Sequence, residues 1–177
     1  MKLTWFGGKT MRVHLGGMIL VVEPEGALGG ISWAELTSGA DRVVQSSGAE
    51  LPQADGERWK LRPVPRVLDD DGQAPGLELW SLGNDLVLVD GMGEVPLLLA
   101  AGDVPKLGRW ADGAVVVLFG DGEQMAARGD GVLAQRAPRL LALAGDDEAI
   151  DHAMAQLGGK LDGTGLVALQ PGLAVEV

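Results

Sequence analysis

The residue in this sequence best placed for chemistry is a carboxylate at the end of a buried strand. Residues 95–101 are a continuous apolar run that ends in Gly102-Asp103, and ligands gather where strands end. The preceding run, Leu86-Val87-Leu88-Val89, is closed by Asp90-Gly91, so the two runs read as buried strands joined by a tight turn. Pro96 is expected at the first residue of the second strand, because it cannot donate to a ladder.

Other chemical motifs fail on spacing. Gly8-Lys9-Thr10 has the ending of a phosphate-binding loop, but the glycine required five residues earlier is Leu3. An alternating strand also follows where that loop needs a helix. Leu79-Trp80-Ser81-Leu82-Gly83 carries the second half of a nucleophile elbow and lacks its first glycine. The two histidines, His14 and His152, fall on the polar face of a strand and off the apolar stripe of a helix. Catalytic zinc needs about three protein ligands, and neither histidine is placed beside a candidate serine. Asp69-Asp70-Asp71-Gly72 lacks the alternating spacing of a calcium loop and reads as a solvated turn.

Composition narrows the function classes further. The 177 residues suit one domain, over residues 1–177, with a real core. A net charge of −11 without a basic stripe opposes binding to a phosphate backbone, so this acidic protein is not expected to hold nucleic acid. The absence of cysteine removes disulfides, zinc-thiolate sites and cysteine nucleophiles. No apolar run is long enough to span a bilayer, and no cleavable signal is recognisable, so no membrane contact and a cytoplasmic location are expected.

The elements that must position any site are mostly strands. Seven Asp-Gly pairs among 28 glycines mark many tight turns. Strands are expected over residues 2–6, 10–15, 18–22, 42–45, 77–82, 114–119 and 139–143, and a closing hairpin over 167–177. Residues 58–68, interrupted by Pro63 and Pro65, read as extended segments at a sheet edge. Ser32 and Glu35 fit a capping box that opens a short helix ending at Gly39. Asp146 caps a longer helix with Ile150, Ala153, Met154 and Leu157 as its apolar stripe, stopped by Gly158. A helical turn is expected over 104–110. Residues 120–137 are ambiguous, and the recurrence of Gly120-Asp121-Gly122 as Gly129-Asp130-Gly131 points to a meander of short strands.

The order of segments resembles a known family. Lys2-Leu3-Thr4-Trp5-Phe6-Gly7, a second strand, Gly16-Gly17 and then Met18-Ile19-Leu20-Val21-Val22 resemble the opening of the metallo-β-lactamase superfamily. The similarity is to the branch of metal-dependent hydrolases that includes ascorbate-6-phosphate lactonases. Asp41-Arg42-Val43-Val44 resembles the strand leading into the family's metal motif. Residues 95–103 resemble the strand ending in its Gly-Asp-Thr, and Leu169-Gln170-Pro171-Gly172 its C-terminus. The resemblance implies an α+β fold, a reduced αββα four-layer sandwich of two mixed β-sheets.

It also implies a lost metal site. The family's early histidine falls at Gly8, and its His-x-His-x-Asp-His motif falls on Ser46-Ser47-Gly48-Ala49-Glu50-Leu51. Only Asp103 keeps a ligand type. Ser46, Gly48, Leu51 and Gly8 are vestigial positions, and Glu50 stands where the aspartate would be. Carboxylates alone suit hard cations rather than zinc, so the family's hydrolysis should be lost. The expectation is therefore a catalytically silent, metal-free pseudoenzyme without cofactor, acting as a binding or assembly module. Its partner would be a second copy or another protein, and the sequence does not define a small-molecule ligand. The alternative is a diverged hydrolase in which Glu50 and Asp103 perform acid–base chemistry. In the silent reading Asp103 caps the turn over 104–106.

Overall fold

The computed structural model describes residues 1–28, 30–45, 50–62 and 76–177. Two mixed sheets face each other. The first (sheet A) contains β1 (Lys2–Trp5), β2 (Met11–Leu15), β3 (Met18–Val22), β4 (Arg42–Val44) and β11 (Ala174–Glu176), in the order β11-β1-β2-β3-β4. The second (sheet B) contains β5 (Leu77–Gly83), β6 (Leu86–Gly91), β7 (Leu97–Ala100), β8 (Val115–Phe119), β9 (Leu140–Ala144) and β10 (Gly165–Ala168), in the order β10-β9-β8-β7-β6-β5. Strands β7 to β10 run parallel, whereas β5, β6 and β7 are antiparallel neighbours.

Side-chain alternation decides which face each strand buries. Met11, Val13 and Leu15 of β2 point inward, with Leu3 and Leu20 beside them, and meet Leu79, Val87, Val89, Leu97, Val115 and Val117 from sheet B. The central strands β6, β7 and β8 of sheet B are buried on both faces, so their sequences are mostly unbroken apolar runs. Leu88, Leu98, Val116, Leu118, Leu141 and Leu143 form their outer layer. That layer is covered by α2 (Gly122–Leu133) and α3 (Asp147–Leu157) through Met125, Val132, Ile150, Ala153 and Leu157. On the far side, the short α1 (Trp33–Thr37) is held against sheet A by Arg12, whose guanidinium donates to the carbonyls of Leu36 (2.7 Å) and Ser38 (2.9 Å). Both N-caps are present, Ser32 Oγ accepting from the Glu35 amide at 3.2 Å and Asp146 Oδ1 from the Ala149 amide at 2.8 Å, but at Ser32 only this half of the expected capping box forms.

Four expectations are corrected. Residues 122–133 are a helix, not a meander. Asp121 accepts from the Gln124 amide, while Gln124 reaches back to the Asp121 amide, and this capping box starts α2 despite its glycines. Gly129 is there because α3 packs close: a Cβ would lie 2.7 Å from a Leu157 methyl. The C-terminal segments do not form a hairpin. β10 extends sheet B beside β9, the chain crosses over, and β11 joins β1 in sheet A. Asp90-Gly91 continues β6 in register with Glu78 and Leu77, and the turn comes after it. Finally, residues 104–108 are irregular rather than helical, with only a 3-10 turn at Arg109–Ala111. Their polar groups are taken elsewhere: Gln135 pairs with the Leu107 amide and Pro105 carbonyl, and the Gly108 amide donates to Gly56. The segment 58–68 is described only to Arg62, and that part lies outside both sheets, near a single bridge between Gln53 and Ser81 at the β5 edge. Pro63, Pro65 and the Asp69–71 turn lie outside the described residues.

Candidate functional site

The parallel strands β7, β8 and β9 bring their carboxyl ends to one rim of sheet B, at Ala101, Gly120 and Gly145. Opposite them stands the β1–β2 turn of sheet A, with Trp5, Gly8 and Lys9. Between the two lies an open cleft of about 680 Å³. Its wall is largely apolar, built from Trp5, Leu28, Phe119 and Ala144, and this is the usual position for ligands on parallel strands.

The polar groups at this rim are mostly engaged. The Trp5 indole donates to the Gly8 carbonyl at 3.0 Å. Lys9 pairs with Asp85 at 2.7 Å, a half-exposed contact that contributes little stability. Asp121 and Asp146 are caps of α2 and α3. Arg128 reaches from α2 to the Phe119 carbonyl, while its Nε is buried with no partner among the described residues. Lys9 and Arg128 are the cations of this cleft, and neither was legible as such: Lys9 was read only in a rejected phosphate motif, and Arg128 sat in the segment read as strands.

Among the described residues, the positions expected to be vestigial do not all reach this cleft. Gly8 lines it. Its φ is +52°, and a Cβ there would stand 3.1 Å from the Gly26 carbonyl, so the backbone has settled where a side chain is disfavoured. Leu51 is buried between the sheets, and Glu50 is exposed on the turn before it. Ser46 and Gly48 lie outside the described residues. Asp103 is exposed in a separate depression that shares Gln124 and Arg128 with the cleft.

Asp103 does not cap the following turn. No donor from the described residues reaches its carboxylate, because residues 104–106 are not helical and present no row of free amides. Asp103→Ala is therefore expected to shift stability by no more than about 0.5 kcal/mol. A denaturant titration showing a loss of about 1 kcal/mol would restore the capping role.

Neither histidine joins the cleft. His152 is exposed over the adjoining N-termini of α2 and α3. His14 lies on the outer face of sheet A, where burial first, then the charges of Arg12 and Lys2, hold its pKa below the ordinary imidazole value. The unfolded chain therefore takes up that proton more readily, and His14 contributes stability that is lost as pH falls below about 6.5. His14→Gln should flatten this part of the profile, read as Tm between about pH 7 and 5. An unchanged slope would show that His14 is not responsible.

Comparison with known proteins bears on the fold. No protein-family profile matches the sequence, and no curated protein matches it. Among solved structures, Igni18, a novel metallo hydrolase from the hyperthermophilic archaeon Ignicoccus hospitalis KIN4/I, superposes with a TM-score of 0.58 at 13% identity, covering 99% of this chain and 98% of that one. This chain shares that protein's fold. A candidate Zn-dependent hydrolase of the metallo-β-lactamase superfamily from Thermotoga maritima gives 0.49 at 12% identity, over 96% of this chain and 98% of its own. The expected α+β architecture of two mixed sheets with few helices is the one observed. Among the described residues no three His, Cys, Asp or Glu side chains come together in a group that could hold an ion. The described residues do not fit a metal ion.

Proposed function

We propose that the chain is a catalytically silent, metal-free protein of metallo-β-lactamase-like fold, a binding or assembly module in a single domain over residues 1–177. The observation that carries this reading is Gly8. It lies in the wall of the cleft at the strand ends, in a left-handed conformation that leaves little room for a ligating side chain. The burial of Leu51 and the placement of Asp103 outside the cleft wall support it. What the cleft retains is an apolar wall with Lys9 and Arg128 at its edges, which suits recognition better than bond cleavage. The acidic surface and the lack of cysteine favour a cytoplasmic protein that does not bind nucleic acid.

Metal analysis of the purified protein, paired with a screen of esters, lactones and phosphodiesters, tests this. The expected result is zinc, iron and manganese far below stoichiometry and no turnover. About one metal per chain together with hydrolysis would overturn the proposal, because activated water requires the ion. Hydrolysis without metal that Glu50→Gln and Asp103→Asn both abolish would instead favour the acid–base alternative.

A further inference from the structure

A second cleft, on the other flank of the molecule, reverses the sign of the protein's charge. It measures about 690 Å³, and among the described residues it is lined by Arg58, Lys60 and Arg109 with one carboxylate, Glu57, in a chain of net charge −11. Arg58, Lys60 and Arg109 are all exposed. Among the described residues the Arg58 side chain makes one ion pair, with Asp55 at 3.7 Å, while Lys60 and Arg109 make none. Between these cations stand Trp59 and Trp110, edge to face with ring centroids 5.4 Å apart, and Leu61, 43% exposed.

The loop that carries them is firmly built although it has almost no regular structure. The Ala54 amide donates to the Ser81 carbonyl, and the Ser81 amide to that of Pro52, each at 2.9 Å. The Gly56 carbonyl accepts both the Trp110 indole N–H (2.6 Å) and the Gly108 amide (2.8 Å). Asp55 Oδ1 accepts the Glu57 amide at 2.9 Å, closing the turn that presents Arg58 and Lys60. A Cβ at Gly56 would lie 2.8 Å from the Lys106 carbonyl, and one at Gly108 would lie 2.4 Å from that of Glu57, so the two segments are packed backbone to backbone. Binding here would require little ordering of the loop, and that lowers the cost of association.

We propose that this groove binds a small aromatic anion, whose ring packs against Trp59 and Leu61 while its charge meets Arg58, Lys60 and Arg109. Guanidinium groups beside an aromatic wall recognise planar anions through hydrogen bonds and stacking together. The cleft volume is that of a small-molecule site. The inference is independent of the cleft at the strand ends.

The test is calorimetric titration with 1-naphthyl phosphate, with 1-naphthol and inorganic phosphate as the apolar and ionic halves. Wild-type protein should bind 1-naphthyl phosphate with a Kd below about 1 mM and neither half measurably. The variant Arg58→Gln/Lys60→Gln/Arg109→Gln should bind at least about tenfold more weakly, and added salt should weaken the wild type toward it. These side chains are exposed, and an unchanged thermal midpoint will confirm that the variant folds. Lys9→Gln, in the other cleft, should leave the affinity unchanged. Failure of the wild type to bind, equal binding by the triple variant, or loss of binding in Lys9→Gln would each overturn the proposal.

Discussion

Replacing Arg62 with methionine should cost about 3–5 kcal/mol of folding stability, because it strands a buried carboxylate. The side chain of Asp90 is 2% exposed, and its Oδ2 accepts from Arg62 Nε at 2.9 Å. The same guanidinium donates to the Gly76 carbonyl (2.8 Å) and the Asp90 carbonyl (2.9 Å), and it pairs with Glu78 at 3.2 Å. One side chain thus closes the polar accounts of the β5–β6 end. Among the described residues, deleting it leaves Asp90 Oδ2 with only the long contact to the Arg62 amide (3.4 Å), and leaves the desolvation. The double variant Arg62→Met/Asp90→Leu should recover most of the loss, since a buried ion pair can be exchanged for apolar residues at little cost. Urea titration of both variants checks this, and a loss below about 1 kcal/mol in the single variant would show that water solvates Asp90 after all. Arg62 also directly follows Leu61 of the tryptophan groove, so the single variant should loosen that loop as well.

This pair shows where sequence reasoning reached and where it stopped. The strands of sheet B were legible because burial on both faces requires unbroken apolar runs such as Val115–Phe119. Caps were legible because Ser32 and Asp146 act on amides three residues away. Asp90-Gly91 was misread because a turn dipeptide and a strand residue with a distant arginine partner look alike until residue 62 is brought to residue 90. Helix α2 was missed for a related reason. Gly122, Gly129 and Gly131 weaken helix propensity, yet tertiary packing on Leu157 and His152 favours glycine at 122 and 129. The C-terminal strands were assigned as partners because they are near in sequence, whereas each completes a different sheet. Of the positions singled out as vestigial, Gly8 is the described one that lines the cleft. Lys9, Leu28, Phe119 and Arg128 come from four separated segments, and no local pattern marks their meeting.

The second large effect is expected at Gly102. This residue leaves β7 directly over the β5–β6 turn, where the Asp85 carbonyl accepts the amides of Ala101 (2.9 Å) and Gly102 (3.2 Å). A Cβ on Gly102 would stand 2.1 Å from the Asn84 carbonyl oxygen. That oxygen belongs to the backbone and cannot swing away as the end of a flexible side chain would, so the turn must move and its two hydrogen bonds with it. Gly102→Ala should therefore destabilise by about 3 kcal/mol, at the upper end for overpacking. Gly131→Ala provides the contrast. It lies within α2 with nothing inside 4 Å of its Cβ, and the same added methyl should stabilise by about 0.5–1 kcal/mol. Opposite shifts of the two urea midpoints are the expected result, and equal shifts would mean that the Asn84 contact does not govern the cost. The consequence reaches the cleft through Asp85, whose carboxylate holds Lys9 at 2.7 Å. A displaced turn frees Lys9, so ligands that depend on its position should be lost in Gly102→Ala and kept in Gly131→Ala.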